Sequence, residues 1–270
     1  MYNQSTKRDT YKVGTETLNL FQRSGWRPKT HSHCRINCEK LVEGWLRSHP
    51  SILLYGGLME EQKSFTQRVK ETVIHCACLY KKYYVEYEYL LCSKAFEKSE
   101  YYIISAHVDN YLHLTGLHTD LDASSFFEKC YSGSLEENDF AFSKNGQNEK
   151  EVKGSVRRKI NSLPKIMNLF SVGTLVEEDF EKNRIRCSLA AGNVSATLGF
   201  IVAGNAKPMT LLKGNELNSS KAKKLDLVLR RRAGETKFSE IIIGATEQLL
   251  EHKSALNELL SDELSALMKN

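Results

Sequence analysis

The sequence is poor in features that would place it in a membrane or outside a cell. No run of about 18 apolar residues occurs, so no membrane-crossing helix is expected among the 270 residues. Residues 1–10 are polar and contain no apolar signal core. The seven cysteines (Cys34, Cys38, Cys76, Cys78, Cys92, Cys130 and Cys187) are scattered and odd in number. Without a signal segment they read as reduced thiols, not a disulfide framework, and a cytoplasmic location is expected. There is no internal repeat and no low-complexity tract. The 41% hydrophobic and 26% charged content excludes global disorder and fits a folded chain of one large domain, or one domain with an extension.

Charge is present but unevenly spread around a net +5. Lys150, Lys153, Arg157, Arg158, Lys159 and Lys165 face one acid, Glu151. A second basic stretch runs from Lys207 through Lys221, Lys223 and Lys224 to Arg230, Arg231 and Arg232. The last residues turn acidic, with Glu247, Glu251, Glu258, Asp262 and Glu263. A basic middle and an acidic tail suit a polyanionic partner, although solvated surface explains such clusters equally well.

Patterning along the chain gives an α+β order. Residues 38–47 predict a short helix and residues 60–82 a longer one, whose stripe is Phe65, Val69, Val73, Cys76 and Tyr80. Alternation over 84–91 and the run 101–107 predict a hairpin. The phrase His113-Leu114-Thr115-Gly116 then reads as a strand-to-loop transition able to hold an acid-base group. Asp122 opens a helix that Gly133 ends, and residues 149–169 form a basic helix divided by Pro164. Residues 184–190 and 195–203 flank a turn at Gly192-Asn193 and start an antiparallel meander of about four strands. Residues 209–212, 225–231 and 239–243 continue it. Leu249, Leu256, Leu260, Leu264 and Leu267 predict one C-terminal amphipathic helix over 246–269.

Several phrases together resemble a known family. Asn110-Tyr111-Leu112-His113-Leu114-Thr115-Gly116, followed by Ala123-Ser124-Ser125-Phe126-Phe127, is similar to the core of the phage-associated barnase–EndoU–colicin–RelE-like nucleases, fourth phage group. Val156-Arg157-Arg158-Lys159-Ile160 and Lys207-Pro208-Met209-Thr210-Leu211-Leu212 match its later phrases. The resemblance covers about residues 83–243. It implies helices on a four-stranded antiparallel sheet, metal-independent RNA cleavage and a toxin-like protein of bacteria or their mobile elements. It also implies a cognate antitoxin. On this reading residues 1–82 are a mostly helical extension, 83–244 the nuclease-like domain and 245–270 a terminal helix.

Metal-independent cleavage needs a base for the 2′-hydroxyl, an acid for the leaving 5′-oxygen, and a cation for the crowded phosphate. His113 is the candidate acid or base, with Thr115, Lys159 and Thr210 as further catalytic candidates. Packing, capping and strand positions are the competing readings for the histidine and the threonines. Arg157, Arg158, Arg230, Arg231 and Arg232 are the candidate RNA contacts. His107 and His118 flank the central phrase as second proton-transfer candidates. Tyr87, Tyr89, Tyr101, Tyr102 and Tyr111 offer rings for stacking bases, or for the core. His31, His33, Cys34 and Cys38, with His75, Cys76 and Cys78, do not follow finger spacing. No metal and no cofactor are expected. The partner expected is RNA, whether tRNA or mRNA, and no membrane. Two rivals are a non-catalytic RNA- or protein-binding module on the same fold and an ADP-ribosyl transferase, for which no convincing downstream glutamate is present.

Overall fold

In the computed structural model, residues 63–143, 146–170 and 173–268 are described. The helix expected at 38–47 and the group His31, His33, Cys34 and Cys38 lie outside them.

Helix α1 (Phe65–Tyr80) starts at a reciprocal cap, in which the Ser64 hydroxyl and the Gln67 side chain each accept the other's backbone N–H. Its stripe Val69, Val73, Cys76 and Tyr80 is buried. The helix does not hand over to a strand at residue 84. It continues as a π-turn, Lys81–Val85, closed by Glu86 N–H on the Lys81 carbonyl at 2.9 Å. The Tyr84 hydroxyl donates to the Ile166 carbonyl and holds that turn inward. Strand β1 therefore begins three residues later than the alternation suggests, as Tyr87–Cys92.

β1 pairs antiparallel with β2 (Tyr101–Ile104), as expected of the hairpin. The phrase around His113 is not a strand end. It forms helix α2 (Asn110–Thr115), whose entry is fixed by the Asn110 side chain accepting from His107 N–H at 2.9 Å. Helix α3 (Ala123–Ser132) has Asp122 as its cap and stops at Gly133. Helix α4 (Glu149–Ser162) runs into a 3₁₀ turn, Leu163–Ile166, at Pro164.

The meander is larger than four strands. It comprises β3 (Leu175–Lys182), β4 (Ile185–Gly192), β5 (Ala196–Ala203) and β6 (Asn205–Lys213). The two-residue β7 (Lys223–Lys224), β8 (Leu227–Arg232) and β9 (Glu240–Ile243) follow. With the hairpin they make one nine-stranded sheet in the order β7-β3-β4-β5-β6-β2-β1-β8-β9. Every pairing is antiparallel except β2 with β6, joined through the single pair Ile104 and Ala206. The hairpin supplies the link to β8 and β9 on its far side.

The single C-terminal helix is replaced by three: α5 (Thr246–Glu251), α6 (Lys253–Leu256) and α7 (Asp262–Leu267). The break between α6 and α7 has a clear cause. Phe238 N–H donates to the Leu259 carbonyl at 2.7 Å and Ser261 N–H donates to the Phe238 carbonyl at 2.9 Å. Those residues are withdrawn from helical hydrogen bonding, and the Ser261 side chain caps α7.

One face of the sheet carries the main core, where Tyr80, Tyr111, Phe126, Phe127 and Val156 from the helices meet Ile104, Leu189, Phe200 and Leu211. On the opposite face Leu90, Leu227 and Leu229 pack against Leu249, Leu256 and Leu260. The five described cysteines, Cys76, Cys78, Cys92, Cys130 and Cys187, are buried, and none of them is in a disulfide. Burial pushes the thiols of Cys76 and Cys130 well above their ordinary range. Among the described residues, no helix is long and apolar enough to cross a membrane.

Candidate nucleic-acid site

The end of α2 brings together residues far apart in sequence. Tyr111 and Leu114 point into the core, which leaves His113 exposed on the outer side. Thr115 is wholly buried. Its hydroxyl donates to the Leu112 carbonyl at 2.8 Å and accepts from Leu117 N–H at 3.1 Å. Its role in this geometry is to fix the turn, not to reach a ligand. Gly116 closes the helix with a φ of 72°, in the left-handed region. A Cβ there would lie 2.7 Å from the Lys159 Cδ. Lys159, from α4, thus lays its stem across the glycine, and its Nζ donates to the His113 carbonyl at 2.6 Å. An ammonium at a helix C-terminus is favoured by the carbonyl dipoles collected there.

Other predicted residues lie apart from this point. Arg158 is exposed on α4, and Arg157 sits over the Phe65 ring at 5.1 Å. Leu211 points into the helix-covered core, so Thr210 faces the opposite side of the sheet. There its methyl group approaches Gly199 beside Cys187. His107 is exposed, and its carbonyl accepts from the Tyr80 hydroxyl at 3.1 Å. His118 is exposed and pairs through its backbone with Ala141, lining a cleft with Thr119, Asp120 and Ser143.

The three consecutive arginines are divided by their strand. The β1–β8 register sets Arg232 opposite Tyr87, Arg231 opposite Glu88 and Arg230 opposite Tyr89. Arg231 is fixed among protein groups. Its Nη2 lies 2.6 Å from the Glu88 carboxylate, its Nη1 donates to the Thr236 carbonyl at 2.7 Å, and it covers the Phe238 ring at 4.4 Å. Arg230 donates through Nε to Glu240 at 3.0 Å and covers the Tyr87 ring at 4.3 Å. Arg232 is exposed, 5.4 Å from the same ring.

The tyrosines divide likewise. Tyr111 is in the core, with its hydroxyl donating to the Val73 carbonyl at 2.6 Å. Burial pushes the pKa of that hydroxyl well above its ordinary value. Tyr89 and Tyr102 are buried, whereas Tyr87 and Tyr101 keep part of their rings in solvent.

Sequence reasoning missed Glu178. This carboxylate is buried in β3 and accepts from Glu97 N–H, Lys98 N–H, the Tyr102 hydroxyl and Lys223 Nζ, at 2.7–3.0 Å. Burial works to raise its pKa. The hydrogen bonds from Glu97, Tyr102, Lys223 and Lys98 outweigh burial and leave it lowered. It ties the loop between β1 and β2 to the far half of the sheet. Its donors are scattered along the chain, so no local pattern announces it. Among the described residues no group of three or more histidine, cysteine and acidic side chains gathers as a metal cage.

A sequence model for the family described as phage-Barnase-EndoU-ColicinE5/D-RelE like nuclease 4 matches residues 72–243. No curated protein and no solved structure matches the chain.

Proposed function

The chain belongs to this nuclease family, and from that membership we propose that it is an endoribonuclease working by metal-independent transphosphorylation at the end of α2. The 2′-hydroxyl attacks the adjacent phosphorus, the bond to the 5′-oxygen breaks, and a 2′,3′-cyclic phosphate remains. His113 moves one of the two protons, since imidazole is the side chain whose ordinary pKa suits both directions near neutrality. Lys159 supplies positive charge for the phosphate. Thr115 and Gly116 are positioning residues that hold the helix end under both. The exposed Arg157 and Arg158 lead the polyanion across α4 towards it.

One observation carries the reading. Lys159, 46 positions further along the chain, donates to the backbone carbonyl of His113 at 2.6 Å, and the His113 side chain on that helix end is exposed. The test is cleavage of labelled RNA in the presence of a chelator, with the product ends identified. His113→Ala is expected to lower the rate by about 10²–10⁴-fold while thermal melting is preserved. Cleavage that requires magnesium refutes the mechanism. RNA binding without turnover would move the chain to the non-catalytic alternative. The same reading extends to a toxin-like role with a protein antidote. Arrest of bacterial growth on induction, relieved by His113→Ala, tests that extension.

A further inference from the structure

The β1–β8 register carries a second consequence for the substrate. Alternation along the two strands puts Tyr87 and Tyr89 on one face together with Arg232 and Arg230, and sends Glu88 and Arg231 to the other. The two faces do different things. Arg231 and Glu88 neutralise each other against Phe238. On the first face, two guanidiniums converge on one partly exposed ring, Tyr87, at 4.3 and 5.4 Å.

The helical layer ends next to this ring. α1 gives way to the π-turn Lys81–Val85, a kind of irregularity that recurs at functional sites. That turn brings Tyr83, half-buried, beside Tyr89, and Lys82 lies 5.4 Å from the Tyr83 ring. The Tyr89 ring is seated on Phe170 at 5.0 Å, and Arg230 stands opposite Tyr89 in the β1–β8 register. Arg230 is held from the other side by Glu240. Its charge is therefore matched and its plane pinned, which makes it a flat surface more than a free cation. Arg232, exposed beside the same ring, adds charge at the rim.

We propose that Tyr87, Arg230 and Arg232, with Tyr83 at the border, form a stacking platform for unpaired bases, and that the substrate crosses it as single-stranded RNA. The proposal rests on the nuclease reading above for its ligand and adds the strandedness of that ligand. Aromatic rings and guanidinium planes bind the faces of unstacked bases of any identity, and a duplex keeps those faces hidden. In the sheet order, β8 lies three strands from β6, against which α2 packs. That is roughly 14 Å of sheet at the usual strand spacing. The platform is thus separate from His113 and acts on binding, not on the chemical step.

The test uses a short 2′-O-methyl oligouridylate and a blunt RNA duplex of equal length as probes, with affinities read by fluorescence anisotropy. The methylated strand lacks the attacking hydroxyl, so its binding is measured whether or not the chain cleaves RNA. Tyr87→Ala is expected to weaken single-strand binding about 5- to 150-fold, and Arg232→Ala about 2- to 5-fold. Tyr87→Phe, which keeps the ring, should bind as the parent does. Duplex affinity should be unchanged in both Tyr87 variants and should fall less than single-strand affinity in Arg232→Ala. With cleavable RNA, the platform variants should raise KM and leave kcat intact. Arg232→Ala, at an exposed position, carries the test if Tyr87→Ala fails to fold. Equal losses on strand and duplex, or no loss on either, overturn the platform. If His113→Ala abolishes cleavage while the platform variants bind normally, the nuclease reading stands and the platform falls. The opposite pattern leaves the platform and removes the nuclease.

Discussion

Substituting Gly116 by alanine probes the helix end from two sides. Its φ of 72° lies where an L-residue pays about 1–2 kcal/mol for crowding Cβ against the backbone. The added Cβ would also sit 2.7 Å from Lys159 Cδ, so the lysine stem must move and its 2.6 Å bond to the His113 carbonyl is lost or bent. A partly exposed charged hydrogen bond of this kind contributes about 1 kcal/mol. Gly116→Ala is therefore expected to destabilise the fold by about 2–3 kcal/mol. In a Lys159→Ala background the steric part disappears, and the same change should cost only about 1–2 kcal/mol. Urea unfolding of the four proteins, extrapolated linearly, closes a double-mutant cycle with a coupling of about 1 kcal/mol. Cleavage should fall in Gly116→Ala as it does in Lys159→Ala. Equal destabilisation in both backgrounds would show that the lysine does not lie across the glycine, and the argument for a joined His113–Lys159 site would fail.

Three further outcomes are expected. Because the folded-state pKa of Glu178 is lowered from 4.5, its contribution to stability is fully present above about pH 4.5 and is lost as pH falls through the folded value. Urea midpoints measured down this range should drop more steeply for the parent than for Glu178→Gln. Arg231→Ala should cost about 3 kcal/mol in unfolding free energy by stranding the Glu88 carboxylate, whose side chain is only 13% exposed. RNA affinity should hardly change, and a large loss of affinity with little loss of stability would contradict the structural role. Thr115→Val keeps the shape but leaves Leu117 N–H without its acceptor, so a loss of about 1–3 kcal/mol is expected in thermal or urea unfolding.

What could be read from the sequence was what has a local signal. Asp122 announces α3 because an acceptor at that position satisfies the first free N–H groups of the helix. The β4–β5 turn is equally visible: the Asn193 side chain accepts from Ser195 and Ala196 N–H. Strand β3 was hidden, since Glu177, Glu178 and Asp179 in a row look like surface. The first two are buried only because Asn218, Glu97 and Lys223 arrive from elsewhere in the chain. Asp179, at a φ of 49°, also breaks the alternation. Helix α2 has six residues, too few for a periodic pattern to emerge. The lysine that accompanies His113 was a candidate from resemblance, but its route over Gly116 belongs to the packing of α4. The run Arg230–Arg232 reads as one basic cluster until the register divides it between two faces.

The parallel junction between β2 and β6 sets an order of assembly. Strands β3 to β6 can zip together from neighbouring turns, and β1 can close on β2 in the same way. The seam at Ile104 and Ala206 must wait for everything between those strands to be made and gathered. Closing so large a loop gains few backbone bonds in return, so its reward comes from the apolar core spread across both halves. That shared core couples the two halves, while the few backbone bonds along the seam leave its amides the first of the central sheet expected to exchange with solvent.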